Sequence, residues 1–538
     1  WVAYRIPEPP QRQACDACFC LGDALPDQSE HHARSERSGP RLLAVLLIVG
    51  IGAVLVARLP GAISARLGDA ALVDPVVDIS HLVDRYYYRD YDEEEMRLGA
   101  IRGMLNTLQD PYTEYIPPAR QEEFDKIVRG EFVGIGAQIQ MTEEGWLEIV
   151  SPLDDSPALQ AGLQAGDLVV AVNGSSTWQR DVQLIIDQLT GTPGSDVRVT
   201  VQRQVDDGDI PDGALEPSVP GELLIDDRAP GEIGAEGEPP VTAPGPPDGA
   251  RRFDLIITRD RIRTQTVRGL HRDGSEWLWM VDPEQKIAYV RISQFTGETI
   301  LRFPAVLQEL LDRGMNGLVL DLRQNTGGSL EAAIMVSDLF LESGEIVSVE
   351  GRRRERDTAS AKAAGTLPDF PMAVLVDRVS ASASEIVAGA LSDNGRAIVV
   401  GERTFGKGLV QAIVPLPSGH GQLKITEADY YLPSGRSLHR HPDSEVWGVD
   451  PTNGFEVSLT EDEFILLWNT RREQEVIRPN GDDEDARWSD PVWIREQLHD
   501  PQLAVAVDAI QTVLQTGEWV APEQPAEEQT ETPEPVSP

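Results

Sequence analysis

The chain has 538 residues, with 47 Lys plus Arg against 89 Asp plus Glu and a formal net charge of −42. That length exceeds what a single hydrophobic core fills, so several domains are expected. The acidity excludes a nucleic-acid binder held by phosphate contacts, and it speaks for solubility, not for a particular partner.

All three cysteines, Cys15, Cys18 and Cys20, lie at the very start of the chain. No disulfide can form downstream of them, and a zinc site needs about four ligands where no second Cys pair follows. No metal and no cofactor is expected. Leu42 to Ala57 is uncharged and strongly apolar, bracketed by Arg41 and Arg58. The run is short for a bilayer core of about 30 Å, although Arg58 can snorkel and let the span continue through Leu59. A signal-peptide core, with a cleavage site near Ala62 to Ala65, is the rival reading. Arg34, Arg37 and Arg41 precede the run. By the positive-inside rule residues 1–41 form a cytoplasmic tail, residues 42–59 a membrane anchor or signal segment, and the bulk lies outside, in the periplasm. The expectation is a single-pass protein of the cell membrane.

Residues 76–127 read as a helical region, with Ile79, Leu82, Val83 and Tyr86, then Leu98, Ile101, Leu105 and Leu108, at helical spacing. Asp110-Pro111 ends the helical pattern, and a turn-rich stretch from Tyr112 to Pro118 follows. Residues 128–262 read as a small β-rich domain of short alternating strands. Its Phe132-Val133-Gly134-Ile135-Gly136 segment can present amides to a peptide carboxylate while the next strand's edge accepts the peptide. Residues 206–249 form a Pro-, Gly- and acid-rich insertion with too little apolar surface to fold alone, expected as a disordered loop between two strands. Over 263–470 strands alternate with helices, which implies an α/β core. Residues 488–515 read as a C-terminal helix, and 516–538 as a disordered acidic tail.

Three segments of that core carry chemistry. Val379-Ser-Ala-Ser-Ala-Ser-Glu385 places small residues at a strand-to-helix junction, where a nucleophile can stand exposed beside helix N-terminal amides. Thr404-Phe-Gly-Lys-Gly-Leu-Val-Gln411 sets Lys407 in a glycine turn among apolar neighbours. Burial without a carboxylate partner can bring such a lysine towards neutrality, as a base requires. Gly408 stands where a phosphate-binding loop needs Ser or Thr, so nucleotide binding is excluded. Asp321-Leu-Arg-Gln-Asn-Thr-Gly-Gly328 follows an apolar strand, and its glycines can turn amides towards an oxyanion. Taken singly, each is better explained as a helix cap, a surface turn and a plain turn.

Together they resemble the carboxyl-terminal processing protease family, the tail-specific proteases, with a PDZ domain ahead of the catalytic core. Ser380 to Glu385, Phe405 to Gly408 and Leu322 to Gly328 match the family's motifs; Thr326 stands where proline is common. The resemblance implies an α/β catalytic core of ClpP/crotonase-like strand-turn-helix type, with an inserted β-rich PDZ domain and helical segments at both ends. The family's serine-to-lysine spacing of twenty-five residues, counted back from Lys407, selects Ser382. It further implies Gln411 as partner of the lysine, Gly328 and Ala383 as oxyanion amides, and Phe132 to Gly136 as carboxylate loop. The expected function is a serine endopeptidase acting on unstructured C-terminal tails of proteins or peptides; a homo-oligomer is compatible with it, and the sequence leaves the oligomeric state open. A Ser-His hydrolase using His439 or His441 is the enzyme rival, and a catalytically silent PDZ scaffold for membrane-protein tails is the alternative from another class.

Overall fold

The computed structural model describes residues 2–3, 73–204, 250–478 and 487–522, with a few positions between 210 and 217. The chain divides into two units, residues 6–111 and the remainder. In the smaller unit two helices are described, α1 (residues 73–86) and α2 (Glu93–Asn106). Asp92 caps α2, its carboxylate accepting from the Glu95 amide at 3.0 Å, and three glutamates occupy the first turn at the positive end of the helix dipole.

In the larger unit, which also holds the two-residue strand Val2–Ala3, β1 (Glu114–Ile116) is followed by β2 (Glu131–Gly134). A five-strand antiparallel sheet follows in the order β3 (Ala137–Met141), β4 (Leu147–Pro152), β5 (Leu168–Val172), β6 (Asp196–Gln204) and β7 (Ala250–Thr258). Period-two alternation drives it: Val197, Val199 and Val201 of β6 point into one core with Leu147, Ile149, Leu255 and Ile257. The helix α3 (Val182–Leu189) covers that core with Ile185 and Leu189. Along the sheet order β3 is the terminal strand. β6 and β7 pair from Asp196 with Thr258 to Gln204 with Ala250, so the chain leaves and re-enters at one hairpin end. Most of the 206–249 insertion lies outside the described residues. β8 (Asp260–Arg263) pairs back onto β2.

The α/β core is built on a sheet in the order β9 (Val267–Arg268), β10 (Ile287–Ile292), β11 (Gly317–Asp321), β14 (Met372–Val376) and β15 (Ile398–Gly401), with β12 (Glu345–Gly351) and β13 (Arg354–Ser360) intervening in sequence. β10, β11, β14 and β15 run parallel. Parallel strands are covered on both faces, which is why Ile287–Ile292 and Met372–Val376 are buried throughout. One face packs on α4 (Gly297–Asp312), α5 (Leu330–Asp338) and α6 (Ala383–Asp393), through Phe303, Leu307, Val336 and Ile386. The other packs on the C-terminal helices α8 (Pro491–Gln497) and α9 (Pro501–Thr516). Where the sequence reads as one C-terminal helix there are two, because Asp500 caps α9 and Pro501 opens it. A second sheet contains β16 (Leu409–Pro415), β17 (Gln422–Tyr431), β12 and β13 in that order, with β1 also on β17. The helix α7 (Glu461–Gln474) stands between β17 and α8 in the chain.

The single-pass membrane placement is corrected. Crossing a bilayer takes about 20 apolar residues in one helix, and no helix among the described residues is long and apolar enough. Residues 42–59, on which the expectation rested, lie outside the described residues.

Candidate active site

Ser382 stands between the end of β14 and the first residue of α6, at φ 56° and ψ −111°. That backbone conformation is uncommon and strained for a residue with a Cβ. The two flanking serines are committed elsewhere. Ser380 donates its hydroxyl to Leu322 O at 2.9 Å, and Ser384 donates to Asn325 O at 2.8 Å. Both therefore hold the 322–325 segment against the turn that carries Ser382.

Glu385, fully buried at the third position of α6, connects the two halves of the site. Its Oε2 accepts from the amides of Ser382 (2.7 Å) and Lys407 (2.8 Å), and its Oε1 from the Gly406 amide (2.7 Å) and the Thr404 hydroxyl (2.6 Å). Burial raises its pKa, while these four hydrogen bonds act in the opposite direction. Ser382 and Lys407 are thus tied by their backbones to one oxygen atom.

Lys407 lies in the turn between β15 and β16. Gly406, at φ +89°, has no room for a side chain, since a Cβ there would sit 2.5 Å from Trp447. The lysine is half-buried, and this burial lowers the pKa of its ammonium; nearby Lys424 adds to the effect and Glu385 opposes it. Its Nζ lies 4.7 Å from the centre of the Tyr112 ring. Gln411, on β16, is fully buried and pairs in register with Thr426 of β17.

Gly327 approaches the turn that carries Ser382 closely, and Gly328 approaches Phe295. A Cβ on Gly327, at φ +105°, would fall 2.8 Å from Ser382 Cβ and 3.0 Å from the Ala383 amide. One on Gly328 would fall 2.0 Å from Phe295 O. Ala383 opens α6, and a helix supplies no internal acceptor for its first amide. Asp377 fastens this arrangement: its carboxylate accepts from the amides of Gln324 (3.0 Å), Val379 (3.0 Å) and Ser380 (2.9 Å). The glycine loop and the serine turn consequently share one buried anchor.

The Phe132 to Gly136 segment lies apart from this cluster. Phe132, Val133 and Gly134 belong to β2, with the Phe132 ring exposed, and Ile135 is buried. A Cβ on Gly134 would meet Leu189 O and Thr190 at 3.6 and 3.7 Å, so the segment passes the C-terminal end of α3 before entering the edge strand β3. A cavity of about 1470 Å³ extends from Ser156 and Arg263 to Phe295 and Gly328. Gly328 lies on its wall; Ser382 and Lys407 do not line it. His441 is exposed and His439 half-buried; the backbone of His439 packs against Gly408, where a Cβ would lie 2.5 Å from its amide. Among the described residues no group of three or more His, Cys, Asp or Glu could hold a metal.

Residues 286–453 match the model of peptidase family S41, 148–203 that of a PDZ domain, and 66–118 that of the activating protease CtpB N-terminal domain. The carboxy-terminal-processing protease of Bartonella bacilliformis is 33% identical over 414 residues, covering 75% of this chain and 82% of its own. The carboxyl-terminal-processing protease of Synechocystis sp. is 32% identical over 362 residues, covering 67% and 72%. Among solved structures, the photosystem II D1 C-terminal processing protease is 28% identical, with 69% of this chain and 84% of that one covered and a TM-score of 0.36.

Proposed function

The chain belongs to peptidase family S41, as a carboxy-terminal-processing protease carrying a PDZ domain, and from that premise we propose that Ser382 is its nucleophile and Lys407 its general base. The observation that carries this reading is the single Glu385 oxygen holding both backbones. Neutral Lys407 takes the Ser382 hydroxyl proton as Oγ bonds to the scissile carbonyl carbon. The oxyanion is received by the Gly328 and Ala383 amides. The C–N bond then breaks, and the leaving amine takes the proton back from Lys407. The same lysine next deprotonates a water molecule, which splits the acyl ester and frees Ser382. Gln411 orients the amine without adding a charge that would raise its pKa. Phe132 to Gly136 and the β3 edge receive the free carboxylate and main chain of an unstructured tail.

Incubation with an unstructured tail peptide tests the reading. Ser382→Ala and Lys407→Ala are each expected to lower kcat/KM by about 10³-fold or more, whereas His439→Ala and His441→Ala cleave normally. Cleavage by Lys407→Ala would overturn the assignment of the base. Binding of the tail by the unaltered protein without cleavage would support the silent scaffold instead.

A further inference from the structure

Tyr112 belongs to the turn-rich stretch ahead of the β-rich domain, which no step of the proposed reaction uses. The segment is firmly held. β1 pairs antiparallel with β17, Glu114 facing Lys424, and continuing that register by two places sets Tyr112 opposite Thr426. Thr426 in turn pairs with Gln411 on β16. The Thr426 amide donates to the Thr113 hydroxyl at 3.2 Å, the buried Tyr115 donates its hydroxyl to His420 O at 2.6 Å, and Ile116 is buried beside it. The anchored strand therefore delivers the Tyr112 ring to Lys407, whose Nζ lies 4.7 Å from the ring centre.

We infer that Tyr112 is a positioning residue for the lysine base, its ring face holding Nζ through both protonation states of the catalytic cycle. This rests on the assignment of Lys407 as base. A lysine side chain is long and loses much rotamer freedom when fixed. A carboxylate partner would fix it but would also keep it charged. Among the described residues no carboxylate forms a salt bridge with Lys407, and the charged groups of the described residues that act on it are Glu385 and Lys424, the latter 3.9 Å from Glu114. An aromatic face attracts the ammonium moderately, within about 6 Å, and still packs against the neutral amine.

The test compares Tyr112→Phe and Tyr112→Leu with the unaltered enzyme, recording kcat and KM for a tail peptide across pH, with Lys407→Ala alongside. The Phe variant should stay within about threefold in kcat, because the ring face is retained. The Leu variant should lose about tenfold or more in kcat at unchanged KM. Its acidic limb should move to lower pH, since the ammonium loses the ring that favoured it. A purely structural role would reduce the amount of active enzyme without moving the limb. A Leu variant with the original kcat and limb, or a Phe variant as impaired as Leu, would overturn the inference. An inactive Lys407→Ala beside either result leaves the lysine assignment standing; an active one removes the premise instead.

Discussion

At the scale of the residue, the site turns on a lysine made less basic than usual. Burial is the first cause, Lys424 strengthens it, and Glu385 works against it. In the proposed reaction Lys407 acts as the neutral amine, so kcat/KM should rise with pH through the lowered lysine pKa and level off below the ordinary lysine range of about 10.4. A pH profile of tail cleavage checks this. A plateau reached near pH 7 with the midpoint of a histidine, and its loss in His439→Ala, would point to the rival base. Ser382 contributes at the same scale through its backbone. Its strained φ of 56° is maintained because Glu385 takes its amide and Gly327 leaves room beside its Cβ.

Elements meet at the buried end of β11. Arg323 is fully buried; its guanidinium donates to Asp321 Oδ2 at 2.7 Å and to the two oxygens of Asp500 at 2.7 and 2.8 Å. Arg471 of α7 reaches Asp321 at 3.0 Å, and the Tyr289 hydroxyl of β10 donates to the same oxygen at 2.6 Å. The network joins β10, β11, α7 and the cap of α9 directly beneath the glycine loop. Burial alone would raise the pKa of Asp321, but Arg323 and Arg471 overcome it and hold the carboxyl well below the usual range. Such a group adds stability above its unfolded pKa of about 3.9, and that contribution is lost as pH falls through the folded value. Arg323→Met leaves two buried carboxylates without their main partner. It should lower stability by about 3–5 kcal/mol in denaturant unfolding and move acid unfolding to higher pH.

For the whole molecule, the proposed function makes the β3 edge and the Ser382–Lys407 pair separate stations, with a cavity that extends from Gln138 of β3 as far as Gly328. A peptide bound by its C-terminal carboxylate at the first station can present an upstream bond to the second. A tail peptide with an amidated C-terminus should therefore keep the kcat of the free acid when saturating but bind at least about tenfold more weakly, since a charge-assisted hydrogen bond to a carboxylate contributes about 1.5–3 kcal/mol. Equal KM values for the two peptides would dismiss carboxylate capture. Along the cavity Arg272 pairs with Asp154 and Arg268 with Glu475. These two pairs join the β-rich domain and the α7 region to the core.

What the amino-acid sequence by itself determined was local: strand and helix periods, the α/β core read from alternating elements, the glycine turns, and the motifs that carry the family resemblance. The tertiary structure alone decided which distant groups meet. In the sequence Glu385 is only the end of a run of small residues at a strand-to-helix junction, yet it is the atom-level link between the Ser382 and Lys407 backbones. Its partners at 404, 406 and 407 become neighbours only when β15 pairs with β14. Asp377 and Arg323 escaped for the same reason, and α7 was missed although Thr460 and Glu463 form its capping box. Tyr112 arrives at the lysine through the register of β1 on β17. Periodicity and capping act over a few residues, whereas these contacts depend on strand order and register, which the chain specifies only through burial of the whole core.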